Sequence, residues 1–491
     1  MQTVILALDI GTSSTRAILY DAESVREIPG AAFAIEHEPD QNESGKSTLN
    51  PEALVQEAVH CIARVLQDAD GQTQVIGVGV SALWHSFIGV DSQGAAQTSA
   101  LLWSDRRSAP QVEALRHAID TDAYTQRTGC PLHCSYLPGR LLWLRETEPE
   151  IWNRCHRFLS PPEYLFSRFF GLERTTVSSS MASGTGLLNQ AAGTWDAATL
   201  EFIPGLTPQS FSPVSDDPVS GLLPEFRAHF PLLADVPWFP ALGDGACSNI
   251  GCGAVTPGTI ALMIGTSGAL RVAVTGEIPP VYPGLWRYQI DANRFLAGGA
   301  LSNGGAVWAW LKKTLSLSDT PDDAIEEAIA ALPPDGHRLA VLPFLNGERA
   351  PLWRDDATAA ILGLRSSTTA LEIARAHLEA VAYRFAAVRE PLRAVSPYGR
   401  IIGTGAGLVA SGTWAQIIAD VLGEPIFVSE EKQASARGAA LWARERLGLG
   451  AIEKAPPLDF IGERQPDNTK QDAYEEGRAR HEAALARWSI A

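Results

Sequence analysis

At positions 7–14 the chain reads ALDIGTSS, and at 261–268 it reads ALMIGTSG. A tight turn of Gly, Thr and Ser presents backbone N–H groups and small hydroxyls in a concave arrangement that suits phosphate oxygens. Two such turns facing each other could clamp one polyphosphate, with Gly11, Thr12 and Ser13 in one and Gly265, Thr266 and Ser267 in the other. The copies differ where Asp9 gives way to Met263. A clamp needs only one acidic partner for a Mg²⁺ that travels with a nucleotide, so Asp9 is the candidate metal ligand. Just before the second turn, PALGDGACSNIGCGAV sets Asp244 between two glycines, in a loop that a ligand can approach closely. Such a carboxylate fits a general base. It fits equally the N-cap of a helix beginning near Ala246, and residue types alone do not choose.

Two other segments suggest chemistry and fall away. ESGKST at 43–48 contains the end of a nucleotide P-loop, but Asp40 stands where its first glycine belongs and no buried strand precedes it. CPLHC offers Cys130, His133 and Cys134 with no second ligand pair nearby, so the cysteines read as buried thiols. Six cysteines in 491 residues make no disulfide scaffold and suit a reducing, cytoplasmic setting. A net charge of −17 disfavours a nucleic-acid partner, and the apolar runs are too short to span a membrane. The N-terminal MQTVILALDIG lacks a basic leader and reads as a first buried strand, not an export signal.

The elements that must position these residues follow from periodicity. VILALDIGTSSTRAILYD and TIALMIGTSGALRVAV each read as strand, turn, strand, unlike the P-loop or dinucleotide turn, which opens a helix. Residues 49–68 predict an amphipathic helix with Asn50 as N-cap, Pro51 at its first position, and Leu54, Ala58, Cys61, Ile62 and Val65 on one face. VIGVGV reads as a strand covered on both faces, followed by the polar SALWHS and a further strand, FIGVD. The second half repeats this grammar. TTALEIARAHLEAVAYRFAAVREPL predicts a long helix, RIIGTGAG a strand entering a glycine loop, and TWAQIIADVLG a helix ended by Gly423. PIFVSEE and ASARGAALWARERLG add a strand and a helix. Beyond Ala451, KAPPLDFIGERQPDNTK reads as loop and DAYEEGRARHEAALARW as a terminal helix. Strands alternating with helices in two similar halves indicate an α/β fold built by duplication.

The ordered set LDIGTSSTRA, SALWHSFIGVD, LLWSDRRS, GDGACSNIGCGAV, IALMIGTSGALR, SNGGAVWAWL, PFLNGERAPLW and the glycine loop near 405 resembles the FGGY family of carbohydrate kinases over positions 3 to 448. Within that family the likeness is greatest to gluconokinases, through WHSFIGVD, WSDRRS, RTGCPLHCSYLPGRLLWLRE and NGERAPLW, and next to xylulokinases. The resemblance implies two duplicated actin/hexokinase-like (ribonuclease H-like) domains around a nucleotide cleft. The first, 1–253, carries the sugar side, the second, 254–450, the nucleotide side, and 451–491 form a tail.

It also implies roles. Asp244 becomes the catalytic base, and Thr12, Ser13, Thr266 and Ser267 become phosphate contacts. Gly305, Gly407 and Ser411 fall to the nucleotide, and Trp84, His85, Asp105 and Arg107 to the substrate. Trp84 replaces the family's usual Met, AGLV at 406–409 departs from its glycine-rich adenosine segment, and Arg140 and Pro162 stand where Lys is common. The implied reaction is phosphorylation of a small sugar or sugar acid at a terminal hydroxyl, with ATP and Mg²⁺. D-Gluconate is the first candidate and xylulose or another pentulose or polyol the second. A nucleotide-switched ATPase module would explain the duplicated turns, but not the GDGA carboxylate beside the polar WHS and WSDRRS segments. An anionic substrate must overcome the net charge of −17 through local cations, and His85, Arg107 and Arg349 are the candidates. A homodimer is left open.

Overall fold

The computed structural model describes residues 2–67, 73–315, 317 and 319–488. Strands β1 (Gln2–Ile10), β2 (Ser14–Asp21) and β3 (Glu27–Glu36) form an antiparallel meander. On the other side of β1, β4 (Thr73–Ala82) runs parallel to it and β5 (Leu242–Gly243) runs parallel to β4. The unbroken apolar run Val4–Leu8 is fully buried, as a central strand covered on both faces requires. Helix α1 (Pro51–Gln67) packs on β2 and β3 through Leu54, Ala58, Cys61, Ile62 and Val65. Asn50 caps it, its Oδ1 accepting the N–H of Glu52 at 2.9 Å and of Ala53 at 3.2 Å. Asp68, where the sequence pattern ends, lies outside the described residues.

The second sheet contains β6 (Thr259–Ile264), β7 (Gly268–Thr275), β8 (Trp286–Gln289), β9 (Arg294–Leu301), β10 (Arg400–Thr404), β11 (Ile426–Ser429) and β12 (Phe460–Arg464). Its order is β8-β9-β7-β6-β10-β11-β12. The first sheet's order β3-β2-β1-β4-β5 recurs inside it as β9-β7-β6-β10-β11, with the same two antiparallel and two parallel pairings. The sequence repeat is therefore a repeat of sheet topology. Asp9 and Met263 both stand one residue before the end of the equivalent strand. The turns are not identical, since Ile10 pairs with Thr15 but Ile264 pairs with Gly268, which makes the second turn one residue shorter.

Helix α2 (Asp244–Gly251) follows β5 directly, and α3 (Gly305–Thr314), α4 (Ala370–Leu392) and α5 (Gly412–Leu422) belong to the second half. Helix α6 (Ala434–Arg446) crosses back and packs on α2, β4 and β1. Glycines make this contact backbone to backbone. A Cβ on Gly251, Gly438 or Gly79 would lie 1.7, 1.9 or 2.0 Å from a facing carbonyl oxygen. The last helix, α7 (Gln471–Trp488), is the expected terminal helix. The segment before it corrects the loop expectation, because β12 adds an antiparallel edge strand to β11. Phe460 and Ile461 are exposed there, so no buried alternation announced the strand.

Candidate active site

Asp244 is the first residue of α2, with Gly243 as the helix N-cap. Its Oδ1 accepts the N–H of Gly245 at 2.8 Å, so the carboxylate is held at the helix entrance from the first helical position and not from the N-cap. The flanking glycines have a packing reason of their own. A Cβ on Gly243 or Gly245 would meet the Trp84 indole at 1.8 and 2.7 Å, and one on Gly184 would meet it at 2.6 Å. Three glycines thus make room for a buried tryptophan whose Nε1 donates to the Ser180 carbonyl at 3.0 Å.

Trp84 forms one wall of a cavity of about 210 Å³ whose other aromatic walls include His85, Trp103, Tyr136, Tyr288 and Trp353. His85 adopts a left-handed backbone with φ 60°, a conformation that costs a non-glycine residue on the order of 1 kcal/mol or more. Arg140 holds it there. This fully buried guanidinium donates to the His85 carbonyl and to those of Leu102 at 2.6 Å, Ser135 at 2.7 Å and Leu101 at 3.0 Å. A lysine could not serve so many carbonyls at fixed angles. His85 Nδ1 donates to the Gly184 carbonyl, which leaves Nε2 as an acceptor 3.5 Å from the Tyr288 hydroxyl. Burial pushes its pKa down to about 3, so the ring is neutral. His85 therefore brings hydrogen-bonding capacity to the cavity and no charge, contrary to the expectation of a cation.

A second cavity, of about 240 Å³, opens on the other side of Asp244 and is lined by Asp9, Arg16, Thr404, Gly405 and Gln433 among others. Asp244, Gly245, Met263 and Arg271 line both. Burial raises the Asp9 pKa to about 6, opposed by a Ser81 hydrogen bond and by Arg16 and aided by the charge of Asp244. Arg16 Nε lies 3.6 Å from Asp9 Oδ2. Burial also raises Asp244, opposed first by Arg271, then by the Gly245 N–H and by Arg349. Two desolvated carboxylates that penalise each other's ionisation suit a hard divalent cation that takes one or two carboxylates and completes its shell with phosphate and water.

Of the turn residues, Thr12 and Ser267 line the aromatic cavity, and Thr266 joins them in an adjoining polar cavity of about 400 Å³. Gly11, Ser13 and Gly265 shape the turns through backbone bonds. The Gly11 N–H donates to Ser14 at 2.9 Å, the Gly265 N–H to Ser267 at 3.0 Å, and the Ser13 carbonyl accepts from His37 at 3.0 Å. Gly305 clasps the second turn, its N–H donating to the Gly265 carbonyl at 2.7 Å. Gly407 packs on Ile264, and Ser411 caps α5 while donating to Glu326 at 2.5 Å. None of Gly305, Gly407 and Ser411 lines the three cavities described. Gly45, Lys46 and Ser47 of the rejected P-loop fragment line the polar cavity.

Asp105 and Arg107 stand apart from all three cavities, which corrects their expected place in the substrate pocket. Asp105 is fully buried, accepts the Ser47 N–H at 3.0 Å and pairs with Arg107 at 2.7 Å, while the Arg107 guanidinium stacks 4.1 Å from the Trp143 ring. Asp105 is committed to these contacts, and Nε and Nη2 of Arg107 both donate to it. In CPLHC, Cys130 and Cys134 are buried free thiols and His133 Nε2 lies 3.0 Å from Asp355. Among the described residues one group, Asp335, His337 and Glu379, has the spacing of metal ligands. Its carboxylates are already paired with Arg375 at 2.8 Å and Arg338 at 3.2 Å, and with Arg480.

Sequence reasoning missed Arg16, Arg271, Trp103, Tyr136 and Tyr288. Arg271 had a visible signal, a lone arginine in the apolar strand ALRVAV.

Two copies of one mixed sheet meet at a carboxylate that faces both an aromatic cavity and the cavity lined by Asp9 and Arg16, in an actin/hexokinase-like arrangement. Residues 4–251 match the N-terminal domain of the FGGY family of carbohydrate kinases and residues 254–444 match its C-terminal domain. The chain belongs to the FGGY family of carbohydrate kinases. It is 28% identical over 481 residues to a gluconokinase of Bacillus licheniformis, a match that spans 94% of this chain and 90% of that one. The crystal structure of gluconate kinase from Lactobacillus acidophilus is similar with a TM-score of 0.92 at 25% identity over 99% of both chains. The ligand-bound xylulose kinase of the same organism scores 0.91 at 25% identity, over 99% of this chain and 98% of that one. No helix among the described residues is long and apolar enough to cross a membrane.

Proposed function

We propose that this kinase phosphorylates D-gluconate at its terminal hydroxyl, with ATP as donor and Mg²⁺ held at Asp9. The observation that carries the reading is that Asp244 lines both the aromatic cavity and the cavity that holds Asp9 and Arg16. A base that takes a hydroxyl proton while the oxygen attacks a phosphoryl group must face both reactants. The Gly245 N–H, donating to Oδ1, and the Trp84 N–H orient the Asp244 carboxylate, which keeps lone pairs to accept the proton. Arg271 and Arg349 oppose the burial that raises the pKa of that carboxylate. The aromatic walls cover the C–H faces of the sugar and exclude water, which would otherwise compete as nucleophile. The turns at Thr12, Thr266 and Ser267 hold phosphate oxygens through N–H and hydroxyl groups. When bound, Mg²⁺ neutralises charge on the transferred group. Both halves wall the aromatic cavity, with Trp84, His85, Trp103 and Tyr136 from 1–253 and Arg271, Tyr288, Arg349 and Trp353 from 254–450, and residues 254–450 also carry the second phosphate turn. There Gly305 and Gly407 let the chain pack closely behind the second turn, and Ser411 fixes the start of α5.

Gluconate is favoured over a ketose by the gluconokinase of Bacillus licheniformis and the gluconate kinase of Lactobacillus acidophilus, while the equal identity to a xylulose kinase keeps xylulose as the second reading. A screen of ATP consumption over gluconate, xylulose, ribulose, glycerol, fuculose and rhamnulose tests it. Gluconate should give the highest kcat/KM. A ketose as the best substrate with gluconate inert overturns the gluconate reading.

A further inference from the structure

The charges in the aromatic cavity do not balance. Its charged walls are Asp244, Arg271 and Arg349, with His85 neutral, so two guanidinium groups face one carboxylate. Both guanidinium groups hold unused capacity. Arg271 is 7% exposed and its Nη1 is buried without a hydrogen-bond partner among the described residues. Arg349 donates from Nη2 to the Leu301 carbonyl at 3.1 Å and stacks 4.6 Å from the Trp103 ring, but its Nε is likewise buried and unpartnered. A buried charge without a partner is costly, and here two like charges share one cavity. A neutral polyol would leave that cost standing, whereas one carboxylate brought by the ligand would offset it.

Arg271 stands on β7 in a row with Gly298 and Trp286. Its guanidinium reaches Gly245, where an added Cβ would lie 3.2 Å from Nε, so it faces both the aromatic cavity and the cavity beside Asp9.

We infer that Arg271 and Arg349 together read the carboxylate of an aldonate substrate and make this site selective for sugar acids over the corresponding neutral polyols. The inference rests on the gluconate reading and names the residues that enforce it. The matched probes are gluconate and glucitol, which differ only in that C1 is a carboxylate in one and a hydroxymethyl group in the other. Binding of each, without nucleotide, is measured by calorimetry for the wild type, Arg271→Met, Arg349→Met and Arg271→Lys, and kcat and KM are measured with ATP.

The wild type should prefer gluconate by about tenfold to a hundredfold, the scale of a charge-assisted hydrogen bond. Each methionine variant should lose most of that preference through the KM of gluconate, and Arg271→Lys should retain part of it. A wild type that binds and phosphorylates gluconate, with methionine variants that keep the preference, overturns the inference and spares the gluconate reading. An equal fall in kcat on both substrates with an unchanged ratio assigns the guanidinium groups to phosphoryl transfer and also overturns it. A wild type that ignores gluconate removes both. If Arg271→Met does not fold, Arg349→Met and Arg271→Lys decide by the same ratio.

Discussion

Asp9→Asn should trade activity for stability, and the size of the trade can be worked out. The Asp9 carboxyl is harder to ionise in the folded protein, where its pKa is about 6, than in the unfolded chain at 3.8. Between those values the folded state holds a proton that the unfolded state has released, so stability falls as pH rises through the window and stays lower above it. At 1.36 kcal/mol per pH unit, the gap costs about 3 kcal/mol above pH 7. Asparagine has the same shape without the charge and escapes that cost. The attraction of Arg16, 3.6 Å away, is already contained in that net pKa and subtracts nothing further. The metal-free variant should therefore melt a few degrees higher than the wild type at pH 8, and the difference should shrink to a small fraction of that near pH 4, where the folded carboxyl is protonated and the unfolded one is close to half protonated. Turnover at limiting Mg²⁺ should fall at the same time. Scanning calorimetry of both proteins in chelator across pH 4 to 8 measures the first effect, and a Mg²⁺ titration of rate measures the second. A variant no more stable than wild type at pH 8, or stabilised equally at pH 4 and pH 8, would refute the claim that Asp9 is a strained, desolvated carboxylate.

Asp244→Asn should keep sugar and nucleotide binding but lose turnover by about 10²-fold or more, read from kcat beside calorimetric affinities. Near wild-type turnover in the folded variant would remove Asp244 as the base. Arg107→Gln should raise the KM for sugar less than about threefold, because Arg107 is spent on Asp105 and Trp143. A tenfold rise would return it to the pocket. Trp84→Met should lower stability by about 2 to 3 kcal/mol, since Gly184, Gly243 and Gly245 leave a space that methionine cannot fill. It should also admit bulkier sugars, which relative kcat/KM values over a substrate series would show.

The fold was legible because duplication prints itself twice. Two strand-turn-strand segments, each followed by parallel strands separated by helices, define the two sheets before any coordinate is known. Local features with a local cause also read correctly, such as Asn50 ahead of Pro51 and the glycine ending TWAQIIADVLG. Asp105 and Arg107 misled for a physical reason. A polar WSDRRS segment looks the same whether its charges face a ligand or each other, and only tertiary packing turns this pair inward. His85 was marked as a polar group of interest but given a charge that its burial removes. Arg271 was the reverse case, since strand periodicity expects an apolar residue there and gives no sign that the facing cavity lies between two domains. Tyr136 and Tyr288, whose hydroxyls meet at 2.6 Å across 152 residues of sequence, could be joined only by the fold.

The exchange of Asp9 for Met263 between the two copies has an electrostatic logic. Asp9 is already pushed toward neutrality by burial and by the charge of Asp244. Met263 lines both cavities beside Asp244, so a second carboxylate there would be a third negative group around the same narrow space. Like charges at such range cannot all ionise in a desolvated site, and one or more would hold protons near neutral pH. A protonated Asp244 could not take a proton from the sugar, and a protonated Asp9 would hold a cation poorly. The duplicated hairpin therefore keeps its turn twice, because two turns hold phosphate better than one, but its carboxylate only once. Symmetry survives where the backbone does the work and is broken where charge does.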